Sequence, residues 1–355
     1  MQGAYGIRGR VLLGASLLLC LAAAISGPLG CGRQERSGSR GFYYWRTTFE
    51  LSAREEALLN DLQVTKLYVR LFDLAWNSDA GVVAPIAPCI LAQEFPTGVE
   101  LVPVVYIKNE VFANEHAPRT LAEHVWLLVT RTMADAQAPF SEIQVDCDWT
   151  DSTREAYFAF CERLGEVASS EGRYVSATIR LHQVKYRYQT GVPPVKRGML
   201  MFYNVGRFAD ASERSPIFNS EDAGRYVATI DAYPLPLDAA LPIFSWGLHL
   251  RDGQVIGLIS KPDLQDLVVM PGMVAESSGI LRAAQAGFVN GDYLQEGDLI
   301  RIDGVTPAIA HEAAGLLAKY FHPRGDFTIT LFDLDERNTA GYAAKDLDLL
   351  YSTVR

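Results

Sequence analysis

An α/β barrel of the TIM-like (β/α)8 type is the fold this sequence predicts, and three observations predict it. Strand-like and helix-like segments alternate from residue 41 to the end, with no internal repeat or low-complexity block. Eight strand-like segments fit a closed barrel, with one longer excursion between the seventh and the eighth. Polar and aromatic residues gather at the C-terminal ends of those segments, where barrels of this kind keep their working groups. The rival architecture, an open doubly wound sheet, favours a Gly-rich first turn that is absent. The 355 residues are 49% apolar and 21% charged, an ordinary globular composition with length for one large core.

The elements follow in order. Residues 42–47 read as the first strand, and Ser52 with Glu55 forms a capping box that starts a helix. Residues 66–73 and 101–107 are the second and third strands, and residues 120–136 have amphipathic helical spacing. Residues 141–150 read as the fourth strand. Ser152 and Glu155 then suggest a second capping box, before a helix whose buried stripe is Tyr157, Phe160, Cys161, Leu164 and Ala168. Strands five, six and seven fall at 175–182, 198–204 and 241–246. Residues 253–303 read as a small α+β insertion with strands near its two ends. A helix at 308–320, an eighth strand at 326–333 and a closing helix at 343–351 complete the barrel of residues 42–355.

The N-terminus reads as a processing signal. Arg8 and Arg10 precede an apolar run over 11–25, and small residues lead to Cys31. Residues 1–30 are therefore expected to be a lipoprotein-type signal peptide, with Cys31 lipidated and residues 31–41 a flexible tether. Pro28 occupies a place where a branched apolar residue is usual, so an ordinary secretory signal and an uncleaved anchor remain open. The lipoprotein reading implies membrane attachment in a bacterial cell envelope, facing the periplasm or the cell surface. Cys89, Cys147 and Cys161 then remain, too few for a disulfide framework and without metal-site spacing, so no metal and no cofactor are expected. The formal charge of -10 and the lack of a basic block argue against a nucleic-acid partner.

Strand parity singles out the candidate site. On the fourth strand Gln144, Asp146, Asp148 and Thr150 share one face, while Ile143, Val145, Cys147 and Trp149 share the other. Two carboxylates on one face, roughly 6 to 7 Å apart, require water, cations or a ligand. The same parity turns Tyr68, Arg70 and Phe72 of the second strand, and Arg180 and His182 of the fifth, toward the lumen. Arg180 is expected to neighbour the acid pair, either neutralising it or contacting a substrate. Trp45, Tyr203 and Trp246 at strand ends form a candidate stacking platform, and packing is the alternative reading.

Asp146-Cys-Asp-Trp149 resembles the Asp-x-Asp-Trp core of the fourth-strand motif in glycoside hydrolase family 18, the lineage of chitinases. Met201-Phe-Tyr-Asn-Val-Gly206 resembles that family's sixth-strand motif, and an insertion after the seventh strand is also family-like. The mature chain as a whole also resembles a group of bacterial barrel lipoproteins. The resemblance implies a carbohydrate ligand. It also implies that Asp148 and Tyr203 orient a substituent of the sugar, with Asp146 as electrostatic partner and Trp246 as the sugar platform, while strand parity and strand-end position add Arg70, Arg180, His182, Asn204 and Trp45 as expected substrate contacts. One departure stands against it: the family's terminal Glu, the proton donor, falls at Thr150, and a threonine is no general acid near neutral pH. Glu110, Asp73, Asp151 and Asp238 are the substitutes to consider. The expectation is a lipid-anchored barrel that binds a carbohydrate, with hydrolysis through a rearranged acid pair left open. A non-catalytic glycan-binding barrel and an envelope scaffold are the alternatives.

Overall fold

The structure is a computed structural model, and it describes residues 38–205, 215–260, 267, 270–277, 279–289 and 291–354. The expected signal segment, Cys31 and Gly206 lie outside these residues. Eight parallel strands close into a barrel: β1 (Gly38–Tyr44), β2 (Lys66–Asn77), β3 (Glu100–Ile107), β4 (Glu142–Asp146), β5 (Tyr174–Arg180), β6 (Arg197–Met201), β7 (Leu237–Pro242) and β8 (Phe327–Phe332). Each pairs with the next in sequence, and β1 completes the ring by pairing with both β2 and β8. Strand β2 is long, and its far end turns back through a hairpin with Val82–Ile86.

The helices cover the barrel with the stripes expected of them. Ala53–Asp61 begins at the Ser52/Glu55 capping box. Pro118–Asp135 buries Leu121, Val125, Val129 and Met133, while Arg154–Ser170 buries Tyr157, Phe160, Cys161, Leu164 and Ala168. The second predicted capping box does not form. The N-cap of Arg154–Ser170 is Thr153, whose hydroxyl turns away from the helix to donate to Asn109 Oδ1 at 2.6 Å. Cys147 and Cys161 are both buried as free thiols and pack as small apolar groups.

Strand boundaries differ in three informative places. Strand β1 begins at Gly38, so the last residues of the expected tether are barrel wall. A side chain at Gly38 would lie 2.7 Å from the Phe327 ring, and one at Gly41 2.8 Å from the Thr330 methyl. These glycines therefore serve close strand packing, although in sequence they read as linker. Strand β7 is Leu237–Pro242, upstream of the predicted position, and Ser245–Arg251 belongs to the insertion. Strand β4 ends at Asp146, so Asp148 and Thr150 lie beyond the ladder.

The insertion starts earlier than predicted and, among the described residues, is built on an antiparallel sheet. Its strands run in the order Gln254–Ser260, Ser245–Arg251, Leu299–Gly304, Ile280–Ala283, Met273–Ser277. A small apolar cluster including Leu281, Val289, Leu294 and Ile300 supports it.

The N-terminal end of the barrel is closed by buried ion pairs. Asp238 accepts from Arg197 Nε and Nη2 at 3.0 and 2.7 Å and from the Thr328 backbone N–H at 2.6 Å. Glu142 is held by Lys66 at 3.2 Å and the Tyr174 hydroxyl at 2.8 Å. Above them Tyr43 donates to Gln144, and Gln144 Nε2 donates to Ser176 Oγ at 3.2 Å, so the lumen is a packed polar layer. Removing one partner of the Asp238 clamp strands the other and a strand N–H. Asp238→Ala is therefore expected to cost about 3 kcal/mol in urea unfolding, with the barrel's far end unaffected.

Candidate functional site

The C-terminal ends of the strands open into a cavity of about 490 Å³, a size suited to a small ligand. Its position follows from chain order. Trp45 leaves β1, Tyr106 ends β3, Asp146 ends β4, Arg180 ends β5, Tyr203 and Asn204 follow β6, and Phe332 with Asp333 ends β8. Phe244 lies just beyond β7, and Ser245, Trp246 and Leu258 come from the insertion sheet, which forms one wall.

Asp146 is the buried centre of this mouth, 4% exposed. Its Oδ1 accepts from Thr178 Oγ1 at 2.6 Å and lies 3.9 Å from Arg180 Nη2. Arg180 meets Asp148 more closely, Nε to Oδ1 at 2.6 Å and Nη2 to Oδ2 at 3.3 Å. Burial is the largest influence on Asp146 and pushes its carboxyl up. Arg180 pulls it back, the Asp148 charge adds to the rise and the Thr178 hydrogen bond opposes it; the net position is above the usual carboxylate range. For Arg180, burial disfavours the charge, yet the Asp148 and Asp146 carboxylates outweigh it and hold the guanidinium protonated. Burial and the same two acids push the Tyr106 phenol up to about 12, so it stays a donor. Burial also pushes the Tyr203 phenol well above its ordinary value.

Aromatic rings line the other side. Phe332 packs at ring-centroid distances of 5.4 Å against each of Trp45, Tyr203 and Phe244, and Phe244 packs at 5.4 Å on Trp246. Trp246 lies opposite Asp303 in the insertion sheet, a carboxylate that accepts from Arg301 Nη2 at 2.9 Å.

Parity pointed to Asp146, Asp148 and Arg180, and strand-end position and the motif resemblance to Tyr203, Asn204, Trp45 and Trp246; all seven line the cavity. Two residues depart. Arg70 does not line the cavity: its side chain is held by Asp73 at 2.6 Å and by the Ala87 carbonyl at 3.3 Å, beside a register shift between Arg70 and Phe72. His182 also stays out, because β5 ends at Arg180 and the chain turns into a short helix, Leu181–Lys185, so strand parity no longer applies. Among the substitutes for a proton donor, Asp73 is paired with Arg70, Asp238 lies at the opposite end of the barrel, and Glu110 and Asp151 are exposed; none of them lines the cavity. Phe244, Phe332, Tyr106 and Asn338 were not singled out from the sequence. Phe244 was absorbed into an apolar stretch taken as one strand, and Asn338 follows β8 in a short helix with no motif to mark it.

Among solved structures, the chain is similar to the Bacillus cereus spore cortex-lytic enzyme SleL, at 15% identity and a TM-score of 0.52, over 90% of this chain and 75% of that one. It is also similar to a chitinase from Chromobacterium violaceum, at 14% identity and a TM-score of 0.50, over 90% and 98%. A chitinase-like agglutinin from Robinia pseudoacacia matches at 13% identity and a TM-score of 0.51, over 89% and 99%. No protein-family model matches the sequence, and no curated protein matches it. At these identities the likeness shows the fold alone, a closed eight-stranded (β/α)8 barrel that this chain shares with these structures.

The Asp146 environment yields a test of the site's electrostatics. Arg180→Met leaves a buried carboxyl without its cation and is expected to cost on the order of 3 kcal/mol near neutral pH, while Arg180→Met with Asp146→Asn recovers much of it. The pH dependence has a definite sign. A carboxyl raised in the fold contributes stability that is fully present below its unfolded value, near about pH 4, and lost as pH rises through its folded value. Without Arg180 that folded value rises further, so the single variant's deficit in thermal melting should shrink as pH falls toward about 4. Equal deficits at both ends of that range would mean that Arg180 and Asp146 are not energetically coupled.

Proposed function

We propose that the mouth of this barrel binds a carbohydrate. The observation that carries the reading is the cavity itself. Aromatic rings from β1, β8 and the insertion face a polar wall of Asp146, Asp148 and Arg180 at the C-terminal strand ends. A sugar presents the matching surfaces, an apolar ring face for the indoles and hydroxyls for the charged groups. The likeness to chitinase-like barrels supports the reading as an analogy of fold.

Binding is favoured over hydrolysis by the state of position 150. Thr150 is exposed, and its hydroxyl is engaged with Ser152 Oγ at 3.0 Å and Thr153 Oγ1 at 3.2 Å rather than with the cavity. Hydrolysis is the second reading, and the raised carboxyl of Asp146 is what favours it, since a buried acid near its charged partner is a candidate proton donor. We also propose that the mature protein is attached to a bacterial envelope membrane through a lipid on Cys31, on the strength of the basic, apolar and small-residue pattern of residues 8–31.

Three measurements follow. Titration of the protein with chito-oligosaccharides, followed by tryptophan fluorescence, is expected to give saturable binding, and Trp246→Ala or Trp45→Ala should weaken it by roughly tenfold or more. Product analysis of the same mixtures separates the two readings. Retained oligosaccharide supports a binding barrel, whereas cleavage that falls by orders of magnitude in Asp146→Asn supports the hydrolase. Cys31→Ala, expressed in a bacterial host, should release the protein from the membrane fraction.

A further inference from the structure

One residue in the wall of the cavity carries a polar atom with no bond to account for its burial. Asn338 lines the cavity from a short helix, Glu336–Thr339, that follows β8. Its side chain is 5% exposed, its Nδ2 donates to Asp333, and its Oδ1 is buried without a hydrogen-bond partner among the described residues. Chemistry fixes which way the amide faces. A carboxylate accepts, so turning the amide over would set acceptor against acceptor, and the oxygen is the atom left over.

The support that carries Asn338 is tied down on several sides. Asp335 caps the helix by accepting from the Arg337 backbone N–H at 2.9 Å, and its own carbonyl accepts from Thr339 N–H and Thr339 Oγ1, both at 2.9 Å. Arg54 Nη2 donates to the Thr339 carbonyl at 2.9 Å, and the Tyr342 hydroxyl donates to the Val305 carbonyl at 2.6 Å. Over residues 333–343, Asn338 Oδ1 is the only buried side-chain nitrogen or oxygen without a partner among the described residues. A rigid support that leaves one acceptor open has the form of a binding contact, because a buried carbonyl is costly unless something donates to it.

Barrel order identifies what surrounds this acceptor. Strand β8 has β1 and β7 as neighbours, so the cavity rings nearest in that order are Phe332, Trp45 and Phe244. A sugar unit laid on such rings carries its hydroxyls at the edge of the stack, where the polar wall meets them. We infer that Asn338 is a specificity-determining residue whose Oδ1 accepts a hydrogen bond from a free hydroxyl of the bound sugar. The inference rests on the carbohydrate-binding reading above and adds a requirement to it: units whose hydroxyl at that place is missing or acylated are refused. A site that hydrogen-bonds a hydroxyl rejects the analogue lacking it far more strongly than an apolar pocket rejects a missing methylene, since its own buried group is left unpaired.

The test titrates the purified full-length protein with the tetramer of N-acetylglucosamine and with two analogues, one lacking the primary hydroxyls and one lacking the free ring hydroxyls. Wild-type protein is expected to bind one of the two analogues about tenfold or more weakly than the parent. Asn338→Leu, close to asparagine in shape, and Asn338→Ala, which is smaller, should weaken the parent and bind it and that analogue alike, with folding of both variants checked by thermal melting. A merely structural role would weaken all three ligands together and leave the tenfold ratio intact, so a preserved ratio in either folded variant overturns the inference. Equal binding of all three ligands by the wild type also overturns it, and both of these outcomes leave the carbohydrate reading standing. No binding of any of the three by the wild type would overturn that reading as well.

Discussion

A carboxylate buried at the end of a central barrel strand is the constraint around which the mouth of this protein is organised. Asp146 belongs to the β4 ladder, so its position is set by backbone pairing with β3 and β5 and not by a loop. Leaving such a charge without partners would cost several kcal/mol. Thr178 and Arg180, both on the neighbouring β5, supply the hydrogen bond and the countercharge. Arg180 in turn fixes Asp148, which has left the sheet and is 55% exposed at its side chain. One strand therefore provides the acid, its neighbour provides what makes that acid tolerable, and the exposed carboxylate is oriented as a consequence.

The opposite end of the barrel solves the same problem differently. Asp238 and Glu142 are also buried, and each is held by a cation and by a further donor, although Glu142 Oε1 has no hydrogen-bond partner among the described residues; the lumen above them is filled by Tyr43, Gln144 and Ser176. That end is closed and serves stability. At the mouth, acceptors remain open and aromatic faces remain uncovered. The contrast between an end packed with side chains and an end that opens into a cavity, within one lumen, is what separates the structural ion pairs from the candidate site here.

Much of this was legible in the sequence because period-two parity survives wherever a strand is regular. It placed Gln144 and Asp146 inside and Ile143, Val145, Cys147 and Trp149 outside, and the outside set is buried against helices, with Trp149 stacked on Tyr157 at 5.0 Å. The helix stripes were equally readable, since a 3.6-residue period needs no tertiary knowledge. Parity failed where the ladder is irregular: the bulge after Arg70, and the turn after Arg180 that removes His182. Composition failed at Gly38 and Gly41, because a glycine that admits a neighbouring side chain and one that frees a linker are the same letter. The seventh strand was misplaced for a related reason. An uninterrupted apolar stretch covers both the barrel strand and the crossing into the insertion, and only pairing partners divide it at Pro242.

The fate of position 150 shows how local packing decides what chemistry the mouth can do. After Asp146 the chain leaves the sheet, and Trp149 is pinned outward by its stack on Tyr157 and by donating Nε1–H to the Thr190 carbonyl at 2.9 Å. That anchor turns the next residue toward Asn109, Ser152 and Thr153, where water reaches it. A carboxyl there would lack the burial that raises an acid toward neutral pH, so restoring an acidic residue at 150 would not by itself restore a proton donor. Proton transfer at this mouth would have to start from a carboxyl that is buried and lines the cavity. Asp146 and Asp333 meet that condition, and both are already engaged, Asp146 by Thr178 and Arg180 and Asp333 by Asn338. The same contacts that hold these acids in place thus restrain them as proton donors, which favours the proposed binding reading over hydrolysis.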